Sequence, residues 1–208
     1  MYSLFKCLAK VFLLKKLKRI LGKFVEGVLF VYCKIVYRLK IVGTENIPDE
    51  QVIFCANHRS FIDPPIIKVT CKRDVRFLAR ESLAKNPLLA FLGWIFEVVY
   101  VKKDAKDIAA LKATLSYLKK GESIALFPEG TRNGLQKGED VKDGAAFFTI
   151  KSGAKVIPVG ISGEIKPFHK LTVTYGKPLD FSEYKNPKNK EELEIVTKRI
   201  MEEINNLL

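Results

Sequence analysis

From residue 38 onward, short β-rich runs alternate with windows of helical periodicity, and that alternation limits the chain to few folds. The runs fall at 38–43, 51–56, 75–79, 98–101, 123–127, 155–161 and 171–176; the helical windows fall at 64–71, 81–95, 104–120, 140–152 and 189–207. Strands separated by helices predict an α/β fold: a largely parallel sheet of about seven strands, covered by helices on both faces. The clearest helix is 104–120. Asp104 can cap it, Ile108, Leu111, Leu115 and Leu118 line one face, and Lys119-Lys120-Gly121 ends it. At 208 residues, with 48% apolar and 28% charged side chains, the chain is long and apolar enough to bury a core. Ligands on such sheets bind outside the carboxyl ends of strands.

Two polar segments fall at such ends. Val52-Ile53-Phe54-Cys55-Ala56 reads as a buried strand, and Asn57-His58-Arg59-Ser60-Phe61-Ile62-Asp63 follows it, stopped by Pro64-Pro65. An imidazole can take a proton from a hydroxyl, and a carboxylate beside it can fix its tautomer. Residues five apart lie about 140° from each other on a helix, so His58 and Asp63 can meet only if the histidine is in the loop. A second reading is structural: Asp63 as the N-cap of a helix that begins with proline. The other segment is Pro128-Glu129-Gly130-Thr131-Arg132-Asn133, after the run Ser123–Phe127. Gly130 permits a tight turn, and Thr131 and Arg132 offer a hydroxyl and a bidentate fork to phosphate oxygens. Glu129 can hold that arginine or orient a substrate hydroxyl; a plain strand-end turn is the structural alternative.

Taken together, Asn57-His58-x4-Asp63 and Phe127-Pro128-Glu129-Gly130-Thr131-Arg132, 71 residues apart from histidine to glutamate, resemble the signatures of the 1-acylglycerol-3-phosphate acyltransferase family of glycerolipid acyltransferases. Leu83 to Pro87, Lys142 with Gly144, and Val156-Ile157-Pro158-Val159 are similar too, so the resemblance covers roughly residues 38–180. It implies transfer of a fatty acyl group from acyl-CoA or acyl carrier protein to the free hydroxyl of a lysophospholipid, most simply 1-acylglycerol 3-phosphate giving phosphatidic acid. It makes His58 and Asp63 the catalytic pair, with Arg132 and Lys103 on the substrate phosphate and Glu129, Gly130 and Thr131 shaping its seat. No metal, cofactor or covalent enzyme intermediate is expected. Two departures stand out. The family usually ends its second motif with arginine where this chain reads Val101-Lys102-Lys103; Lys103 is assigned to that place, with Lys102 the alternative, and the bidentate fork is lost. Glu97 also stands where glycine is common. The rival readings are another lysophospholipid or glycerol 3-phosphate as acceptor, acyl exchange between phospholipids, or an inactive basic membrane-binding protein.

Charge is concentrated at the N-terminus. Residues 1–40 carry ten basic side chains against the single acid Glu26, nine of the chain's net +13. Large apolar residues interleave with them, which favours an anionic membrane surface over nucleic acid. Leu4, Phe5, Leu8, Val11 and Phe12 share one helical face; from Leu13 the stripe shifts to Leu13, Leu14, Leu17, Ile20 and Leu21. The shift predicts a bend near residues 12–14 or a helix contacted on two sides, with a second helical segment, Phe24–Leu39, after Gly22. No stretch reaches the roughly 18 apolar residues that span a bilayer, and no signal-peptide pattern is present. The expected organisation is an amphipathic helical appendage at the membrane interface over 1–37 and an acyltransferase domain over 38–208, peripheral or monotopic on the cytoplasmic face of the cell membrane. A helical pair packed on its own domain, basic face in water, is the alternative. Pro87–Val101, broken by Glu97, reads as a buried helix running into a strand, or in part as the lining of a hydrocarbon pocket or a contact with lipid. Cys7, Cys33, Cys55 and Cys71 have no close pair and read as reduced thiols. His169 is given no role.

Overall fold

The computed structural model describes residues 2–102, 108–134 and 141–208, with side chains from residue 13. Seven strands, β1 (Lys40–Val42), β2 (Val52–Ala56), β3 (Val75–Arg80), β4 (Val99–Val101), β5 (Ser123–Leu126), β6 (Lys155–Gly163) and β7 (Leu171–Tyr175), form one sheet in the order β1-β7-β6-β2-β5-β3-β4. β6, β2, β5, β3 and β4 are mutually parallel, while β7 pairs antiparallel with β6 and carries β1 with it. Only seven residues join β6 to β7. That is too short for a crossover helix, so the chain returns as a hairpin.

Helices α1 (Tyr2–Val36), α2 (Asp63–Thr70) and α3 (Pro87–Ile95) lie on one face of the sheet, and α4 (Ile108–Lys119), α5 (Gly144–Ser152) and α6 (Lys190–Asn205) on the other. Both faces of β2 are therefore dry. Val52, Phe54 and Ala56 face Ile66 and Ile67 of α2, whereas Ile53 and Cys55 face α4, α5 and α6; all seven are fully buried. Each such side chain contributes about 1.5–3 kcal/mol. β2 is thus held rigidly from both sides, and the loop that leaves its end starts from a fixed point.

Several elements differ from the sequence-based expectation. The window 81–95 divides at Asn86, whose side chain accepts from the amides of Leu88 and Leu89 and starts α3; a short 3-10 turn, Glu81–Lys85, precedes it. An Asn-Pro step favours that boundary, because the residue before proline avoids helical dihedrals. Of the expected α4 face Ile108 is exposed, whereas Leu118 is buried and Leu111 and Leu115 pack against the core; Ala110 and Thr114 are buried with them. The Asp104 cap lies outside the described residues. At the N-terminus the two expected segments are one continuous helix of 35 residues. Gly22 does not break it, because the glycine is where α1 approaches α3: a Cβ there would be 3.4 Å from Ile95 Cγ2. A glycine inside a helix costs about 1 kcal/mol, which close packing can offset. Cys33 of α1 is fully buried in the same cluster as β2 and α2.

Candidate active site

β2 and β5 are adjacent and parallel, with Cys55 level with Leu126. Three residues on, that register keeps His58 level with Glu129. The two polar segments therefore emerge side by side at the carboxyl ends of the central strands. Main-chain contacts tie them together. The His58 amide donates to Glu129 Oε1 at 3.0 Å, and the Asn133 amide donates to the His58 carbonyl at 2.7 Å. Asn57, buried, extends the ladder toward β6. Its amide nitrogen donates to the Ile161 carbonyl and its oxygen accepts from the Ile161 amide, at 3.0 and 2.8 Å.

Within the first segment His58 Nδ1 lies 2.9 Å from Asp63 Oδ2. The same carboxylate oxygen accepts from the amides of Arg59 and Ser60 at 2.6 and 2.7 Å. A carboxylate oxygen only accepts, so Nδ1 carries the proton and Nε2 is the ring nitrogen left to take one. The imidazole is stacked on Phe127, ring centroids 4.2 Å apart and planes 26° from parallel. The ring is therefore fixed on its edge by Asp63 and on its face by Phe127.

Asp63 does not cap α2. The residue before the helix is Ile62, and Asp63 is its first helical residue. The physical reason is Pro64-Pro65: neither has an N–H, and the next amide, Ile66, already bonds the Ile62 carbonyl at 2.9 Å. With no helix amide to serve, the carboxylate turns back to the histidine loop. Asp63 is fully buried, and its Oδ1 has no hydrogen-bond partner among the described residues.

In the second segment Gly130 has φ +67, and a Cβ there would fall 2.8 Å from Lys142 Cε. Glycine favours the left-handed turn and leaves room for the lysine chain lying across it. The Lys142 amide bonds the Pro128 carbonyl at 2.9 Å. Arg132 is exposed, with its guanidinium carbon 3.7 Å from the centroid of the Phe61 ring. Thr131 is half-buried beside it. The structure thus brings His58, Asp63, Glu129, Gly130, Thr131 and Arg132 into one place. Lys103 lies outside the described residues. Lys102 is exposed at the end of β4, two strands from β5 in the sheet order and so about 10 Å along the same edge.

Phe61 and Phe127 are the site residues that sequence reasoning left without a role. Phe61 was legible as an aromatic in an otherwise polar loop; Phe127 read only as a strand end. Of the nucleophiles considered in sequence, Cys55 is sealed in the core and Ser60 lies in the loop without a contact to the imidazole among the described residues. Ser60 Oγ accepts from the Ile62 amide at 3.4 Å, while the imidazole pairs with Asp63, and full burial in the α4–α6 layer pushes the Cys55 thiol well up. Cys33 and Cys71 are buried thiols as well. Two concavities of about 400 and 280 Å³ lie at the opposite, amino ends of β2 and β3, around Lys72 and Arg73. Arg73 already donates to the Asp49 and Glu50 carbonyls there, and neither motif reaches them.

A histidine paired with a buried carboxylate thus stands beside a cationic turn at the carboxyl edge of this sheet. Residues 38–162 match the Acyltransferase family model: the chain belongs to the acyltransferase family. Within the family its similarity runs to 1-acyl-sn-glycerol-3-phosphate acyltransferases. The chloroplastic enzyme of that name from Arabidopsis thaliana is 29% identical over 131 residues, 61% of this chain and 36% of the plant protein. The Bacillus subtilis enzyme is 24% identical over 194 residues, 89% of this chain and 96% of its own length. The crystal structure of the 1-acyl-sn-glycerophosphate acyltransferase PlsC from Thermotoga maritima superposes with a TM-score of 0.60 at 28% identity, covering 91% of this chain and 79% of that one. Against the plant, algal and spirochaete relatives this chain spans 36% to 50% of their length.

Proposed function

We propose that the protein transfers a fatty acyl group from acyl-CoA or acyl carrier protein to the free hydroxyl of 1-acylglycerol 3-phosphate, giving phosphatidic acid. The observation that carries the reading is the His58–Asp63 pair at 2.9 Å, locked by two backbone amides beside the Gly130–Arg132 turn. In the proposed step Nε2 of His58 takes the proton of the acceptor hydroxyl as its oxygen attacks the thioester carbonyl. The tetrahedral intermediate collapses, the C–S bond breaks, and the imidazolium returns the proton to the thiolate. The reaction balances with no metal, cofactor or acyl-enzyme. Asp63 orients the ring and stabilises its cation, a form of assistance worth about 10²–10⁴ in rate. Arg132 binds the acceptor phosphate, Thr131 and Gly130 shape its seat, and Glu129 holds the two segments in register. A lysine at the end of β4, Lys103 or Lys102, would meet the phosphate from the other side.

The membrane supplies such an acceptor. We place the protein peripherally or monotopically on the cytoplasmic face; two observations support the interfacial position itself, the exposed apolar stripe of α1 and the short apolar helix α3, which exposes Leu88, Phe91 and Trp94. Among the described residues no helix is long and apolar enough to cross a bilayer.

Thiol release from acyl-CoA, with and without 1-acylglycerol 3-phosphate, tests the reaction. Release should depend on the lysolipid and fall by at least about a hundredfold in His58→Ala. Lysolipid-independent release that survives the substitution would defeat the enzyme reading, leaving a basic membrane-binding protein. A lysolipid panel that includes glycerol 3-phosphate decides the acceptor: faster turnover of another member than of 1-acylglycerol 3-phosphate would replace the headgroup proposed here.

A further inference from the structure

Phe61 is 59% exposed in the middle of the histidine loop, although nothing in the core requires an aromatic there. Its position is nonetheless well defined. Ser60 and Asp63 close a tight turn beneath it, with the Asp63 amide on the Ser60 carbonyl at 3.3 Å and the Ser60 amide on Asp63 Oδ2 at 2.7 Å. Arg132, across the site, is anchored just as locally. The residue after it, Asn133, donates to the His58 carbonyl at 2.7 Å and turns the chain sharply with φ +54. Between these two anchors the guanidinium carbon rests 3.7 Å above the Phe61 ring.

We propose that Phe61 is a positioning residue for acceptor recognition: a ledge that holds the Arg132 guanidinium flat, with its N–H edge presented to the phosphate. The proposal rests on the reading of Arg132 as a phosphate ligand. Cation–π attraction occupies one face of the guanidinium. The five N–H donors lie in the guanidinium plane and stay available for bidentate contact with phosphate oxygens. A long exposed side chain would otherwise surrender its rotamer freedom when the phosphate arrives; stacking spends that freedom beforehand, within the free protein. Because Phe61 is two residues before Asp63 and three after His58, the ledge also ties the phosphate seat to the loop that carries the base.

The test is steady-state kinetics of the full chain on 1-acylglycerol 3-phosphate in mixed micelles. An exposed cation–π contact is worth a factor of about two to five in binding. Phe61→Ala should raise KM by that factor, with kcat and melting temperature little changed. Phe61→Trp and Phe61→Tyr should restore the wild-type KM, whereas Phe61→Leu, apolar but without a π face, should behave as alanine does. In an Arg132→Ala background, Phe61→Ala should add nothing further. A wild-type KM in Phe61→Leu, or an equal effect of Phe61→Ala with and without Arg132, would overturn the ledge and leave the headgroup reading standing. Arg132→Ala without any rise in KM would overturn the headgroup reading itself, and the ledge with it.

Discussion

Asp63 can be asked directly whether it serves the helix or the histidine. Asparagine caps helices as well as aspartate, so a capping role predicts that Asp63→Asn is neutral. In the structure the carboxylate faces His58 Nδ1 and two loop amides. An amide there keeps the shape but can turn an N–H toward the ring and cannot stabilise an imidazolium. Asp63→Asn is therefore expected to lower kcat by about 10²–10⁴ while the melting temperature and KM hold; near-wild-type turnover would return Asp63 to the helix. The sequence leaves this pairing open: the five-residue spacing allows it with the histidine in the loop, while Pro64 reads equally as the start of a helix capped by Asp63, and only the resemblance favours the pair. It could not show Phe127 against the imidazole face or Arg132 over Phe61. Those contacts join residues 69 and 71 apart, and depend on how two neighbouring strands end.

On the scale of elements, α1 is fastened to the body by charges as well as by Cys33. Lys18 bonds Glu97 at 2.9 Å, Arg76 reaches the same carboxylate, and Glu26 and Asp74 bind Lys68 and Lys23. Glu97 has φ +51, a left-handed backbone that favours glycine. That accounts for its place in a position where the resembling family often has glycine, and the two cations offset the strain. Burial alone would raise the Glu97 carboxyl, but the Lys18 bond and the charges of Arg76 and Lys18 outweigh it and hold the group below the ordinary carboxylate range. A lowered folded-state pKa contributes stability that is complete above the unfolded value and is lost as pH falls through the folded one. Glu97→Gln should thus lower the melting temperature by about 1–4 °C at neutral pH. The difference from wild type should close in acid, where both side chains are uncharged. A gap that persists in acid would mean the carboxylate's charge is not what fastens α1. Single-sequence periodicity located nearly every element but divided α1 at Gly22, because the glycine's partner, Ile95, is 73 residues away.

For the molecule as a whole, the sheet order sets which edge carries chemistry, and α1 sets which face is apolar. Five parallel strands and helices on both sides followed from alternation of β-rich and helical segments; the reversed β7–β1 pair did not, because it depends on the length of one connection. Leu13, Leu17, Ile20, Phe24, Val28, Val31 and Ile35 are all more than half exposed. Their spacing of three and four residues keeps them on one line about 33 Å long, opposite the face where Gly22 and Cys33 are buried. Lys16 borders its first turns and is exposed too, whereas Lys15 and Arg19, also exposed, lie farther round the helix. An uninterrupted apolar line of that length is more than a monomer in water ordinarily shows, and a basic residue at its border, Lys16, suits anionic headgroups. Deleting residues 1–37 would be a poor test, since it would also strip Cys33 from the core. Two charges placed in the stripe avoid that cost. Leu17→Glu with Phe24→Glu removes two side chains, each worth about 1.5–3 kcal/mol when buried. Sedimentation with anionic liposomes should therefore weaken by on the order of a hundredfold or more, with the melting temperature unchanged. Turnover of long-chain lysophosphatidate in vesicles should fall with it, while turnover of a short-chain acceptor that is monomeric in water should persist. If liposome binding is unaffected, something other than lipid covers α1, because a line of seven apolar side chains gains nothing from water.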